Sequence, residues 1–203
     1  MITDSVQYYE THADEFVNST VNADVSCLYV EFEKYLKPGC RIMDLGCGSG
    51  RDSKYFAEKG YDVVAVDPSP AMCAKTREIA GVSTYTLKAE DLTFEDEFDA
   101  VWACASLLHV AREEQENVFR IICRALHQDG VLYCSWKYGS SERTENGRSF
   151  TDFDEDSLDF ILDSISELEL IKSWVTVDVR SERPEQKWMN AMMRKSCMKM
   201  ECI

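Results

Sequence analysis

Asp44, Gly46, Gly48 and Gly50 stand at every second position of the segment RIMDLGCGSG, residues 41–50. Asp67 closes a second apolar run, YDVVAVD, 17 residues after the last of those glycines. Glycines in that rhythm let the chain turn sharply and let a ligand lie against bare main chain. A carboxylate beyond such a loop can accept from both hydroxyls of a vicinal diol. The spacing is not the dinucleotide fingerprint, whose glycines fall at relative positions 1, 3 and 6; those positions here hold Gly46, Gly48 and Arg51. No Gly-Lys-Ser/Thr follows, which excludes a P-loop. Further along stand His109, an imidazole able to take a proton near neutral pH, and Lys137 and Arg148, two cations able to hold an anion.

The elements that must position these residues alternate between strand-like and helix-like, the mark of a parallel sheet covered by helices. Strands are expected at Arg41–Leu45, Tyr61–Val66, Ser83–Leu87, Phe98–Cys104 and Val131–Trp136. A helix over Asp52–Lys59 is stopped by Gly60, and Ser69-Pro70 reads as an N-cap with proline in the first turn of a helix that ends at Gly81. Arg112–His127 carries Val118, Ile121, Ile122 and Ala125 on one helical face, and Asp129-Gly130 turns into the fifth strand. Ser140–Ser149 reads as a polar loop. A helix follows in the acidic stretch Asp152–Glu169, with Leu158, Ile161, Leu162 and Ile165 as its apolar stripe. Two late strands, about Leu168–Val179 and Lys187–Met193, complete the sheet. Residues before Lys37 read as helical, anchored by Tyr8, Tyr9, Phe16, Tyr29 and Phe32. Every functional candidate after the first strand falls at or beyond a strand's C-terminal end, where open α/β sheets bind ligands.

A length of 203 residues suits one domain, 1–203, with residues 198–203 as a loose tail. Nine cysteines lack paired spacing, which argues against a disulfide framework and against zinc, and for a reducing cytoplasm. The N-terminus lacks the features of a signal peptide, and no apolar stretch approaches the length of a membrane span. The net charge of −15 repels phosphate backbones. Eight carboxylates and no Lys or Arg lie in residues 152–169, read as a solvated helix face.

The D-x-G-x-G-x-G loop followed by Asp67 resembles motif I and the ribose acid of the class I S-adenosylmethionine (SAM) methyltransferases. LGCGSGRDS, with Arg51 after the last glycine, is similar to the small bacterial tellurite-resistance type, with the ubiquinone-biosynthesis type also close. The resemblance covers residues 40–136 and weakens beyond. It implies a Rossmann-like α/β fold: a seven-stranded, mostly parallel sheet with helices on both faces and an antiparallel last strand. Its cofactor would be SAM, leaving as S-adenosylhomocysteine. Gly46, Cys47, Gly48, Gly50 and Arg51 would embrace the methionine and ribose parts, with Asp44 receiving the amino group through water or loop amides. Asp67, with Pro68 beside it, would take the ribose hydroxyls. Asp91, or its rival Glu90, would accept from the adenine amino group, and the Leu92 amide would reach a ring nitrogen. Ala103 would line the donor pocket, and Tyr9 would belong to an N-terminal lid, residues 1–36.

The resemblance also places His109 near the transferring methyl as a base; the alternative is a histidine that bonds backbone at a helix entrance. Lys137 and Arg148 hold an anionic acceptor or are merely solvated. The acceptor expected is a small molecule: a metabolite, thiol or oxyanion. A tRNA-modifying enzyme and a non-catalytic SAM-binding subunit are the competing functions. The acidic balance speaks against nucleic acid. The sequence leaves the acceptor atom and the oligomeric state open.

Overall fold

The structure is a computed structural model that describes residues 5–180 and 183–196; the expected tail at 198–203 lies outside them. Three short helices lead in: α1 (Ser5–Thr11), α2 (Ala13–Thr20) and α3 (Ser26–Glu33). The alternating part follows as β1 (Arg41–Leu45), α4 (Arg51–Glu58), β2 (Asp62–Asp67), α5 (Pro70–Ala80), β3 (Ser83–Thr86), β4 (Phe98–Ala103), α6 (Arg112–Ala125) and β5 (Leu126–Lys137). The remainder is β6 (Glu142–Glu145), β7 (Arg148–Thr151), α7 (Glu155–Ser164), β8 (Leu168–Val177) and β9 (Lys187–Lys195).

Seven strands form one sheet in the order β3-β2-β1-β4-β5-β9-β8. The first five are parallel, and β9 runs antiparallel to both β5 and β8. The order reverses between β1 and β4, which opens a crevice at their C-terminal ends. Alternation along each strand feeds two cores. Met43, Leu45, Val101, Ala103, Leu132 and Trp136 face α6 and α7, whereas Ile42, Ala100, Trp102 and Tyr133 face α3 and α4.

Local chemistry sets the element ends. Ser69 accepts from the Met72 amide at 3.2 Å with Pro70 in the first turn, and Gly81 closes α5 in the left-handed region at φ 69°. Asp154 caps α7 through the Ser157 amide at 2.9 Å. Leu158, Ile161 and Ile165 of the expected stripe are buried.

Two expectations change. The polar loop at 140–149 is a hairpin, in which β6 and β7 pair antiparallel around Asn146-Gly147, both at positive φ (50° and 76°). Asn-Gly is the pair favoured where both central residues of a hairpin turn are left-handed. The helix expected over 112–127 ends at Ala125, because Leu126 already pairs with Phe98 and extends β5 back through the Asp129-Gly130 turn.

Candidate active site

The crevice is built from β1 outward. After Leu45 the chain turns through Gly46 (φ 82°), whose amide and that of Cys47 donate to the Val66 carbonyl at 2.7 and 3.0 Å. The loop is thereby pinned to β2. A Cβ on Gly46 would lie 2.2 Å from Ser106 Cβ, so only glycine lets the β1 loop pass the β4 loop. Gly48 (φ 50°) lies under the Phe16 ring of α2, 3.2 Å from where its Cβ would stand. Gly50 packs its bare backbone against Thr76 of α5 and starts α4. The Gly48 amide donates to Asp67 Oδ2 at 3.0 Å, and the Ser69 amide to Oδ1 at 2.9 Å. Each carboxylate oxygen keeps a further acceptor direction. Burial pushes Asp67 up to about 6, against the pull of those two amides.

Two connected spaces flank this loop. A cleft of about 860 Å³, within the usual range for small-molecule sites, is lined by Leu45, Gly46, Asp67, Pro68, Met72 and Lys88–Glu90, among others. An inner chamber of about 170 Å³ reaches under Cys47, Arg51, Cys104, Ser135, Lys137, Arg148 and Phe150. Tyr9, Phe16, Gly46, Gly48, Ala105 and His109 line both. His109 therefore stands at the junction.

The imidazole has a defined orientation. Its Nδ1 lies 2.7 Å from the Ser149 carbonyl, which can only accept, so Nδ1 carries the proton. Nε2 is then the lone-pair nitrogen, and the Tyr9 hydroxyl donates to it at 2.8 Å. Burial pushes His109 down to about 4; the Ser149 bond opposes this, and the charges of Arg148 and Lys137 add to it. His109 is neutral at physiological pH. Burial raises the Tyr9 hydroxyl as well, against the charge of Arg148.

The cations gather around one ring. Lys137 Nζ sits 3.7 Å from the Phe150 centroid, and the guanidinium carbons of Arg148 and Arg143 lie at 5.2 and 5.4 Å. Arg143 is bound to Asp152. Lys137 meets the half-exposed Glu145 at 3.9 Å and also feels the charge of Asp152. Burial, then the charge of Arg143, lowers the Lys137 pKa.

The N-terminal helices pack against α5 and β7 beside the opening. Glu10 accepts from the Ser69 hydroxyl and from the Ala71 amide (2.9 Å) at the start of α5. Lys75 pairs with Asp14 at 2.6 Å, and the Ser149 amide donates to Ser5 Oγ at 3.0 Å. Tyr8 stacks beneath the Arg148 guanidinium at 4.4 Å.

The structure brings Tyr9, Gly46, Cys47, Gly48, Arg51, Asp67, Pro68, Glu90, His109, Lys137 and Arg148 onto the two spaces. It does not bring the others. Asp91 is exposed at the far side of the short 3-10 turn Ala89–Asp91, and Leu92 enters the core. Three residues per turn carry Asp91 away from the face that Glu90 presents. Ala103 is wholly buried in the sheet, leaving Cys104 and Ala105 on the chamber. Gly50 serves packing. Asp44 lies beneath the loop, accepting from Ser53 Oγ at 2.5 Å; burial and then the charge of Asp52 push it up to about 8. Arg51 reaches the chamber but is clamped on Asp52 at 2.6 and 3.0 Å, and that carboxylate also accepts from Tyr29 (2.5 Å) and Trp102 (2.9 Å). Sequence reasoning missed Lys88 and Ala89 on the cleft and the Phe150 hub. The hub was hidden by reading 140–149 as a loop, although Asn146-Gly147 was the available signal.

The comparisons with known proteins agree with this geometry. Residues 42–130 match the methyltransferase domain family. The cypemycin N-terminal methyltransferase of Streptomyces sp. is 37% identical over 100 residues, 47% of this chain and 41% of that protein. This chain spans less than half the length of the first curated relatives it matches. Among solved structures, the Burkholderia thailandensis 1,6-didemethyltoxoflavin-N1-methyltransferase, with 1,6-didemethyltoxoflavin and S-adenosylhomocysteine bound, superposes with a TM-score of 0.75. It is 21% identical, over 96% of this chain and 86% of that one. A TehB-like SAM-dependent methyltransferase from Corynebacterium glutamicum gives 0.70 at 19% identity, over 94% and 99%. The sheet order and the glycine loop are those of the Rossmann-like methyltransferase fold, and the matched segment lies within it. In sequence and fold it is similar to small bacterial SAM-dependent methyltransferases, the TehB-like ones among them.

Proposed function

We propose that this chain transfers the methyl group of SAM to a small-molecule acceptor. The observation that carries the reading is His109, lone pair on Nε2, at the junction of a glycine-lined cleft and an inner chamber.

The cleft fits the cofactor. Gly46 and Gly48 line the cleft, and the Asp67 carboxylate at the end of β2 has acceptor directions left for two hydroxyls. The buried Ser106 hydroxyl beside Gly46 has no protein partner. Asp67 would hold the ribose, the 46–48 loop the adjoining sulfur-bearing chain, and Glu90, in place of Asp91, the adenine amino group. When bound, SAM supplies a methyl carbon that accepts the acceptor's electron pair while the carbon–sulfur pair stays on sulfur.

The protein's share is alignment, water exclusion and one proton. His109 takes the acceptor's proton at Nε2, with the Ser149 carbonyl holding the tautomer. The Tyr9 hydroxyl must yield its bond for the acceptor to approach. We therefore read residues 1–36 as a lid on a single domain, anchored by Glu10 on α5 and by Ser5 on β7. Among the described residues no helix is long and apolar enough to cross a membrane. The unpaired spacing of nine cysteines supports a cytoplasmic setting.

Incubation with methyl-labelled SAM, pooled small metabolites and bulk tRNA tests the reading. Label in the small-molecule fraction is expected. Label in RNA would select the tRNA-modifying function, and no transfer to either would reject methyl transfer.

A further inference from the structure

The inner chamber has the wrong chemistry for a bare inorganic ion. Among the described residues, two other cations on its wall have carboxylates, Arg51 with Asp52 and Arg180 with Asp178 at 2.7 Å, while Arg183 is solvent-exposed. Lys137 and Arg148 differ. Lys137 is 8% exposed, and its ammonium rests on the Phe150 face with Glu145 as a distant, half-exposed partner. Arg148 lies between Tyr8 and Phe150; no carboxylate pairs with it among the described residues, and its buried Nε has no hydrogen-bond partner. The buried carboxylate that acts on Lys137, Asp152, is bound by Arg143, so Lys137 and Arg148, inside a chain of net charge −15, form a local anion site.

The rest of the wall is apolar. Phe16, Val25, Leu28 and Trp188 line the chamber, and so do Val177 and Val179 where β8 leaves the sheet. Those two valines are 60% and 51% exposed, apolar surface that a ligand would remove from water. An inorganic oxyanion would satisfy Lys137 and Arg148 and leave these walls wet. A neutral apolar molecule would cover the walls and leave the cations unmatched.

We infer that the acceptor is a small organic acid with an apolar body, its anionic group on Lys137 and Arg148 and its body against the Phe16 and Val177–Val179 walls. This rests on the methyltransferase reading only in naming the chamber's occupant as acceptor. The arrangement couples binding to the base: an anion on Lys137 and Arg148 cancels two of the charges that hold the His109 pKa down.

The test uses the full chain, with and without saturating S-adenosylhomocysteine. The probes are benzoate, the hydroxybenzoates and indole-3-carboxylate, each beside its neutral amide, with inorganic selenite as a separate arm. Affinity is read by calorimetry. At least one acid should bind about tenfold or more tighter than its amide. Arg148→Gln and Lys137→Gln should erase that preference while amide binding stays the same. The histidine NMR titration should show His109 moving up when the acid is bound. Amides matching their acids throughout, selenite outcompeting every organic acid, or a preference that survives both substitutions would each overturn the inference. Loss of S-adenosylhomocysteine binding with acid selectivity intact would instead strike the methyl-donor reading.

Discussion

Gly46 and Gly60 offer a matched pair of perturbations. Both have positive φ, 82° and 89°, so alanine at either must accept left-handed backbone, at about 1–2 kcal/mol. Around Gly60 nothing lies within 4 Å of the added Cβ, and the cost ends there. At Gly46 the Cβ meets Ser106 Cβ at 2.2 Å and Oγ at 2.9 Å, so one of the two loops must shift. Overpacking of that kind adds about 1–3 kcal/mol, for a total near 2–5. For a chain of this size each kcal/mol moves Tm by about 2–4 °C. Gly60→Ala should therefore lower Tm by roughly 2–8 °C, and Gly46→Ala by roughly 4–20 °C. The Ser106 side also leads into the short turn that carries His109, so Gly46→Ala should weaken S-adenosylhomocysteine binding about tenfold or more, with Gly60→Ala unchanged. Thermal melts and calorimetry on both variants check this. Equal melting temperatures and equal donor affinities would refute the argument that the two loops meet at bare main chain.

His109→Ala should lower kcat while donor affinity holds, and the wild-type rate should show no break near 6.5, since the imidazole is neutral down to about 4. The same shift makes a stability statement. Between about pH 6.5 and 4 the unfolded state binds a proton that the folded state refuses, so stability falls as pH falls through that window, by about 3 kcal/mol in total. Asp67 and Asp44, whose carboxyls are raised, act in the opposite sense, so the contribution is read as the difference between wild type and His109→Asn in denaturant titrations at several pH values. Removing residues 1–18 should reduce turnover more than it reduces Tm, because the loss falls on Tyr9 and Phe16 at the opening; full activity in a folded truncation would reject the lid.

The parts legible in the sequence were those fixed by local rules. Ser69-Pro70, Gly60 and Gly81 mark helix ends through capping and positive φ. The 41–50 and 61–67 runs announce strands that carry a loop and an acid to the same sheet edge. Position within a short turn was not legible. Lys88–Glu90 and Asp91–Leu92 differ by a single turn of 3-10 helix, and only tertiary packing decides which residue meets the cleft and which enters the core. Pairings between distant segments were hidden too. That Tyr9 would donate to His109, and that Ser149 would orient its ring, depends on α1 and β7 meeting across more than a hundred residues of chain. The glycine rhythm identified the loop, yet Gly50 has its reason in Thr76 rather than in a ligand.

Calorimetric titration of S-adenosylhomocysteine into wild type and Asp67→Asn, from pH 5 to 8, tests the donor site most directly. The account predicts one site per chain in the wild type, with affinity level above about pH 7 and falling toward tenfold per unit below the Asp67 pKa of about 6, as the carboxylate loses its charge. Asp67→Asn should bind about tenfold or more weakly and lose that pH dependence. Wild-type affinity in Asp67→Asn at every pH, or no binding by the folded wild type, would contradict it.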